Sequence, residues 1–227
     1  MAEIWIAEEK VSNKFLEELG HYIRFDGELE SAYFIGADGE GYVEQNKNFL
    51  LEFLLCQNRY PLFITFIVYE EQTGEYRAFL HENKIDFTLS SLEEKRTYYD
   101  FSGKHQYHPP CFTARITDSD SLAFLLNKTY WLAAENEFFS ISFSDNLLFE
   151  LGEVVEWKRK RKRSIASFKI GQGTTFMTIF HDGAGFYLFS NEEKYFLLEK
   201  LISNLPKDTV ITQINDTLVT NQNSEEE

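Results

Sequence analysis

The chain has 227 residues, 43% of them hydrophobic and 16% aromatic, with 22 Phe, 12 Tyr and a formal net charge of −15 at pH 7. That length and apolar content suit one large domain or two small ones around a Phe-rich core, which excludes a wholly disordered chain. The charge disfavours nucleic acid and anionic membranes, because both repel an acidic surface, and it favours basic proteins.

The first ten residues carry Glu3, Glu8 and Glu9 and no basic residue before Lys10, unlike a secretory leader, which opens basic and continues apolar. Two cysteines, Cys56 and Cys111, are too few for a disulfide framework. The most apolar run, Pro61 to Tyr69, is too short to span a bilayer. A reduced, cytoplasmic protein is the expectation.

In chain order, Phe15, Leu16, Leu19 and Ile23 recur at helical spacing and predict a helix over Val11 to Tyr22. Ser31 to Gly36 reads as a strand, Asp38-Gly39-Glu40-Gly41 as a turn, and Tyr42-Val43 as the start of a return strand. Phe49, Leu50, Phe53 and Leu54 predict a deeply buried helix over 46–57. Pro61 to Tyr69 is β-branched and aromatic, a central strand, and Glu71-Gln72-Thr73-Gly74 is read as turning it into a second strand over Glu75 to Leu80. Ser90 to Pro110 is polar and Tyr-rich and reads as an irregular surface excursion. Cys111 to Ile116 is a strand, followed by a helix over 119–134 capped by Ser119 or Asp120.

Glu137 to Ser144 alternates like a strand, and Leu147 to Leu151 reads as another. Lys158 to Arg163 is six consecutive basic residues; without them 16 Lys+Arg stand against 37 Asp+Glu, a net of −21. Such a run reads as a solvated loop, with phosphate or an acidic protein face as the alternative contact. Ile165 to Ile170 and Thr174 to Phe180 are strands around a Gly171-x-Gly173 hairpin turn. His181 to Gly185 is a further turn, Phe186 to Phe189 returns, and Ser190 with Glu193 resembles a capping box for a helix over 191–204. Thr209 to Ile214 is the last strand, before a polar tail ending in three glutamates.

Two stretches share a pattern: Asp38-Gly39-x-Gly41 before Phe49-Leu50-Leu51-Glu52, and Asp182-Gly183-x-Gly185 before Phe196-Leu197-Leu198-Glu199. The fold class expected is therefore α+β, mainly antiparallel sheet with packed helices, with two similar strand-turn-strand-helix-strand halves. The corresponding organisation is a module over 1–90, an irregular connector over 91–110, a module over 111–215 and a disordered acidic tail over 216–227.

Chemistry-bearing motifs are few. His105-x-x-His108-x-x-Cys111 holds metal-capable side chains, but two prolines interrupt it and no second cluster completes a zinc set. His181-Asp182 has the residue types of a base and its orienting carboxylate, although neighbours in sequence rarely point the right way. Gly171-x-Gly173 lacks the remainder of a phosphate loop. No metal or cofactor is expected. Tyr98, Tyr99, Phe101 and Tyr107 sit in polar sequence, and aromatics in such a segment suit a partner-binding surface.

In general profile rather than in matched residues, the chain resembles the small cytosolic immunity proteins of bacterial toxin systems: acidic, aromatic-rich and α+β. That resemblance implies a non-enzymatic inhibitor that covers a basic toxin domain, a nuclease being one case, through carboxylates and aromatic anchors. An enzyme using His181/Asp182 or His105/His108, or a structural or regulatory role, is the alternative.

Overall fold

The structure, a computed structural model, describes residues 3–19, 23–156 and 158–219. Its first part comprises β1 (Glu3–Glu9), α1 (Asn13–Leu19), β2 (Ile23–Asp26), β3 (Ser31–Gly36), α2 (Tyr42–Gln57), β4 (Leu62–Ile67) and α3 (Thr73–Glu82). Then come β5 (Asp86–Ser91), β6 (Arg96–Asp100), β7 (Gly103–Tyr107), β8 (Pro110–Ile116), α4 (Ser119–Ala134) and β9 (Phe139–Ser142). The remainder holds β10 (Leu147–Glu156), β11 (Arg159–Lys169), β12 (Thr175–Ile179), β13 (Phe186–Ser190), α5 (Leu198–Ser203), β14 (Val210–Ile214) and β15 (Thr217–Leu218).

The fold is α+β and is dominated by a ten-stranded sheet of order β15-β14-β1-β3-β13-β12-β9-β4-β8-β5. Its pairings are antiparallel except that of β1 with β14. Strands from before residue 90 and after residue 110 alternate across it. Both faces of its centre are covered, so β3 and β9 are buried at every residue, and central strands read as unbroken apolar or small-polar runs.

One face carries the helices. Phe49, Leu50 and Phe53 of α2, Tyr76 of α3 and Leu122, Leu125 and Tyr130 of α4 share a core with Tyr33, Ile35, Phe66 and Phe186 from the strands. The other face carries a second sheet, β10-β11-β2. There Ile23, Ala166 and Phe168 pack on Ala32, Phe176 and Phe189, with Phe15 and Leu19 of α1 at the margin. Phe168 and Phe176 stack across the two sheets, centroids 3.9 Å apart. Each buried ring contributes roughly 1.5–3 kcal/mol over its exposed state.

Several expectations are corrected. Tyr42-Val43 does not begin a strand. Gly41, at φ 75°, is the N-cap of α2, the chain bends straight into the helix, and Val43 packs against the core. The other Asp-Gly-x-Gly turn does lead into a strand, because Phe180 N–H donates to Gly185 O at 2.9 Å and closes a hairpin. Gly185, at φ 141°, is required there, since a Cβ would lie 2.5 Å from Ile35 O. The two stretches therefore differ in element order, strand-helix-strand against strand-strand-helix-strand, and the two-halves pattern does not extend to the structure.

Glu75 to Leu80 is helical, within α3, where Tyr76 and Leu80 are the buried residues one turn apart. The 91–110 segment is not irregular but forms the β6–β7 hairpin, flanked by β5 and β8. The N-cap of α4 is Asp118, whose carboxylate accepts from Ser121 N–H at 2.8 Å, rather than Ser119 or Asp120. Ser190 caps no helix; its Oγ accepts from Glu192 N–H and bonds Thr175 Oγ1, while a 3₁₀ turn and the short α5 replace the predicted helix.

The basic run is not a loop. Arg159 to Arg163 lie in β11, paired along β10, and Lys162 stands opposite Glu153. Cross-strand opposite charges relieve the like-charge repulsion that a basic strand would suffer alone. Gly171 to Gly173 connects strands of two different sheets, so it is not a hairpin turn. Part of the expected tail, Thr217–Leu218, pairs with β14. Residues 220–227, and the last three of the predicted first helix, lie outside the described residues. Among the described residues, no helix is long and apolar enough to cross a membrane.

Candidate functional site

The β6–β7 hairpin forms its own two-stranded sheet. Asp100 Oδ1 closes its tip by accepting from Ser102 N–H at 2.7 Å and Ser102 Oγ at 2.8 Å, and it lies 2.9 Å from His105 Nε2. The Ser102 side-chain and backbone hydrogen bonds hold the Asp100 carboxyl below its usual value.

Alternation sorts the aromatics onto two faces. Tyr98 stands opposite His105 and Tyr99 opposite Lys104, and opposed residues share a face. Tyr98 stacks on His105 with centroids 5.1 Å apart and meets the edge of Tyr107 at 5.8 Å. Its hydroxyl is pushed up by desolvation first, then by Glu70, Asp100 and Glu71, which mark an acidic flank. Tyr98, Tyr99 and Phe101 are 40%, 75% and 113% exposed, whereas Tyr107 is buried at 8%. Three of the four aromatics singled out in the sequence thus project from one hairpin, and the fourth supports its base.

A buried ionic network ties the hairpin to β11. Glu94, 3% exposed, accepts from Arg96 Nε at 2.7 Å and from Ser164 N–H at 2.7 Å, and its own N–H donates to Ser164 Oγ at 3.2 Å. Arg96 Nη1 donates to both Glu137 oxygens at 2.7 Å, and Arg163 Nη1 stands 3.9 Å from Glu94. Burial alone would lower the Arg96 pKa, but the Glu137 charge and the hydrogen bonds to both carboxylates outweigh it and leave it raised.

Between hairpin and β11 lies a cleft of about 980 Å³, walled by Lys95, Tyr99 and Lys104 on one side and by Arg159, Arg161, Lys162 and Arg163 on the other. A neighbouring groove of about 590 Å³ runs under β10, with Phe87, Leu147 and Phe149 in its lining. The sequence displayed the basic run but not its counterpart. Glu94, Arg96 and Glu137 are scattered charges whose proximity no spacing announces, and Lys95 and Lys104 become neighbours of the run only through the folded hairpin.

The histidines are dispersed. His181 Nδ1 lies 2.9 Å from Asp182 Oδ2, with side chains 61% and 56% exposed, on the turn before β13. Asp182 is held below its usual value by the Asn136 hydrogen bond first and by His181 next. His105 lies on the hairpin, and His108 donates from Nδ1 to Leu92 O at 2.8 Å. Cys111 is buried in β8, and burial pushes its thiol up to about 12. Neither His105 nor His181 lines the two clefts. Among the described residues, no group of three or more His, Cys, Asp or Glu side chains is placed to hold a metal ion. No family model, no curated protein and no solved structure matches the chain.

Proposed function

We propose that the protein is a non-enzymatic binding protein of the inhibitor or immunity type, which covers a basic protein partner. The exposed Tyr98, Tyr99 and Phe101 on a hairpin outside the main sheet carry this reading. Three large rings held in water are poor for solubility and good for a buried contact, where aromatic anchors supply most of the residence time. The Tyr98 flank adds charge complementarity: Glu70, Glu71 and Asp100 lie close enough to shift its hydroxyl. A net charge of −15 steers a basic partner in and raises its association rate more than its affinity. Residues Tyr98 and Phe101 are the anchors, the three carboxylates form the rim, and Tyr107 and His105 brace Tyr98 from behind.

The test places a photocrosslinking amino acid at Phe101 and, as control, at Phe124, an exposed residue of α4. A protein captured at 101 and not at 124 is then purified and its kinetics measured from low to high salt. The reading expects a basic protein, an association rate that falls with salt, and dissociation at least tenfold faster from the Tyr98→Ala/Phe101→Ala variant. Equal capture at both positions, or unchanged dissociation together with a salt-independent association rate, overturns it.

A further inference from the structure

The same hairpin turns a second, oppositely charged face toward β11. We infer that the cleft between the β6–β7 hairpin and β11 binds single-stranded nucleic acid, with Lys95, Lys104 and the Arg159–Arg163 strand on the phosphates and Tyr99 under a base. This goes beyond the protein-partner reading and uses the opposite face of the hairpin.

Charge comes first. Among the described residues, seven cationic side chains line the cleft against two carboxylates, Glu93 and Glu94. Glu94 and Glu137 meet the Arg96 charge, Arg163 also stands near Glu94, and Lys162 stands opposite Glu153 of β10, so the balance is smaller than the count but stays cationic. The rest of the molecule is acidic, and that acidity slows the approach of a polyanion from a distance. It does not set the potential inside the cleft, because at physiological ionic strength charges more than about 8 Å away are largely screened.

Shape and chemistry choose the ligand. The cationic side chains of β11 occupy successive positions of an extended strand, alternating to its two sides: Arg159, Arg161 and Arg163 share one face, Lys160 and Lys162 the other. Such a ladder tracks an extended backbone of repeated charge. Among the described residues, Tyr99 and Leu151 are the apolar members of the lining, so that lining offers little to grip the side chains of a peptide. It offers a basic groove with one aromatic platform, Tyr99, 75% exposed. That is the combination by which proteins hold single strands without sequence preference, since every base has a π face. The walls are preset, because Glu94 joins the hairpin to Ser164 of β11 by two hydrogen bonds, and a preordered site loses less entropy on binding.

The test measures fluorescence anisotropy of labelled twelve-residue oligo-dT and oligo-U, with a twelve-residue oligoglutamate as the competing polyanion, on the full chain from 25 to 300 mM salt (roughly the range in which counterion release is readable). About four phosphate contacts give a slope of log K against log salt near −3. Arg159→Gln with Lys104→Gln should flatten that slope by about 1.4 and weaken binding at every salt. Tyr99→Ala should weaken the oligonucleotides about tenfold and leave oligoglutamate unchanged. All three side chains are exposed, so folding is checked simply by an unmoved urea midpoint. Tyr98→Ala/Phe101→Ala, which tests the protein-partner face, should leave oligonucleotide binding intact, so the two readings fail separately. No binding at the lowest salt, oligoglutamate binding as tightly as the oligonucleotides, or indifference to Tyr99→Ala overturns the inference.

Discussion

Asn46 of α2 donates from Nδ2 to the carbonyl oxygen of Gly183 at 3.1 Å, while its Oδ1 accepts from Ala37 N–H at 2.7 Å. One side-chain amide, 1% exposed, thereby joins the turn after β3 to the turn after β12. It is the physical link between the two Asp-Gly-x-Gly stretches, and it operates across the helix-covered face rather than through any repeated architecture.

That amide sets the first prediction. Asn46→Ala leaves the Ala37 N–H buried without its partner and leaves Gly183 O with the long 3.5 Å contact from the Tyr130 hydroxyl. Each orphaned buried group costs about 1–3 kcal/mol, so a loss of about 2–4 kcal/mol is expected in urea unfolding. A midpoint shifted by less than about 0.5 kcal/mol would mean that the turns hold themselves.

Asp118 sets the second. As the α4 N-cap it accepts from Ser121 N–H at 2.8 Å and Ser121 Oγ at 2.9 Å, and those backbone and side-chain bonds hold its carboxyl below the usual value. A lowered folded-state pKa gives stability that is present above the unfolded-state value and lost as pH falls through the folded one. Asp118→Ala should therefore cost about 1 kcal/mol at pH 7, and the gap from the parent should close as pH falls below the usual carboxylate range and through the lowered folded-state value. A gap that stays constant with pH would show that the carboxylate charge does not contribute.

Thiol reactivity gives the third. Cys56 is exposed on α2 and Cys111 is buried. Burial raises the Cys111 thiol to about 12, which leaves almost no thiolate at pH 8. A disulfide reagent should modify one thiol per native chain quickly and the second only on unfolding, and Cys56→Ser should abolish the fast phase. Two fast thiols would place the β5 edge of the sheet in an open state.

The central strands of the main sheet were legible because burial on both faces makes them runs of apolar and small polar residues, as in Leu62–Ile67, whereas β1 and β5, partly exposed and rich in polar residues, were not. The α4 helix was legible through Leu122, Leu125, Leu126 and Tyr130. Failures fell where local preference and tertiary context disagree. Tyr42 and Val43 favour strands, yet a left-handed Gly41 and the Asn46 amide commit them to a helix. Tyr76 and Leu80 were one helical turn apart, but a Thr-Gly pair just before them read as a hairpin. For the site, the three projecting aromatics were visible as rings in polar sequence. The basic cleft was not, because its walls come from residues about sixty positions apart and its ionic hinge from Glu94, Arg96 and Glu137, which follow no period.

That hinge sets the last prediction. Arg96 touches both Glu94 and Glu137 at 2.7 Å, and those carboxylates are 4% and 8% exposed. Arg96→Met would leave the Glu137 carboxylate without the guanidinium and Glu94 with only the more distant Arg163 and the Ser164 N–H, and removing one partner of a buried pair costs about 3–5 kcal/mol. Much of that cost is desolvation without compensation rather than lost attraction. Consequently the triple variant Glu94→Gln/Arg96→Met/Glu137→Gln, which leaves no buried charge at the centre, should recover most of the stability. Local dynamics separate this from a generic packing defect. Ser164 N–H donates to Glu94 and Arg96 opens β6, so in Arg96→Met the amides of Arg96 to Tyr107 and of Ser164 should exchange with solvent faster. Those of β4 and β9, at the centre of the main sheet, should change only by the global loss. A neutral Arg96→Met, or a triple variant as unstable as the single one, would show that the ions are not what fixes the hairpin to β11.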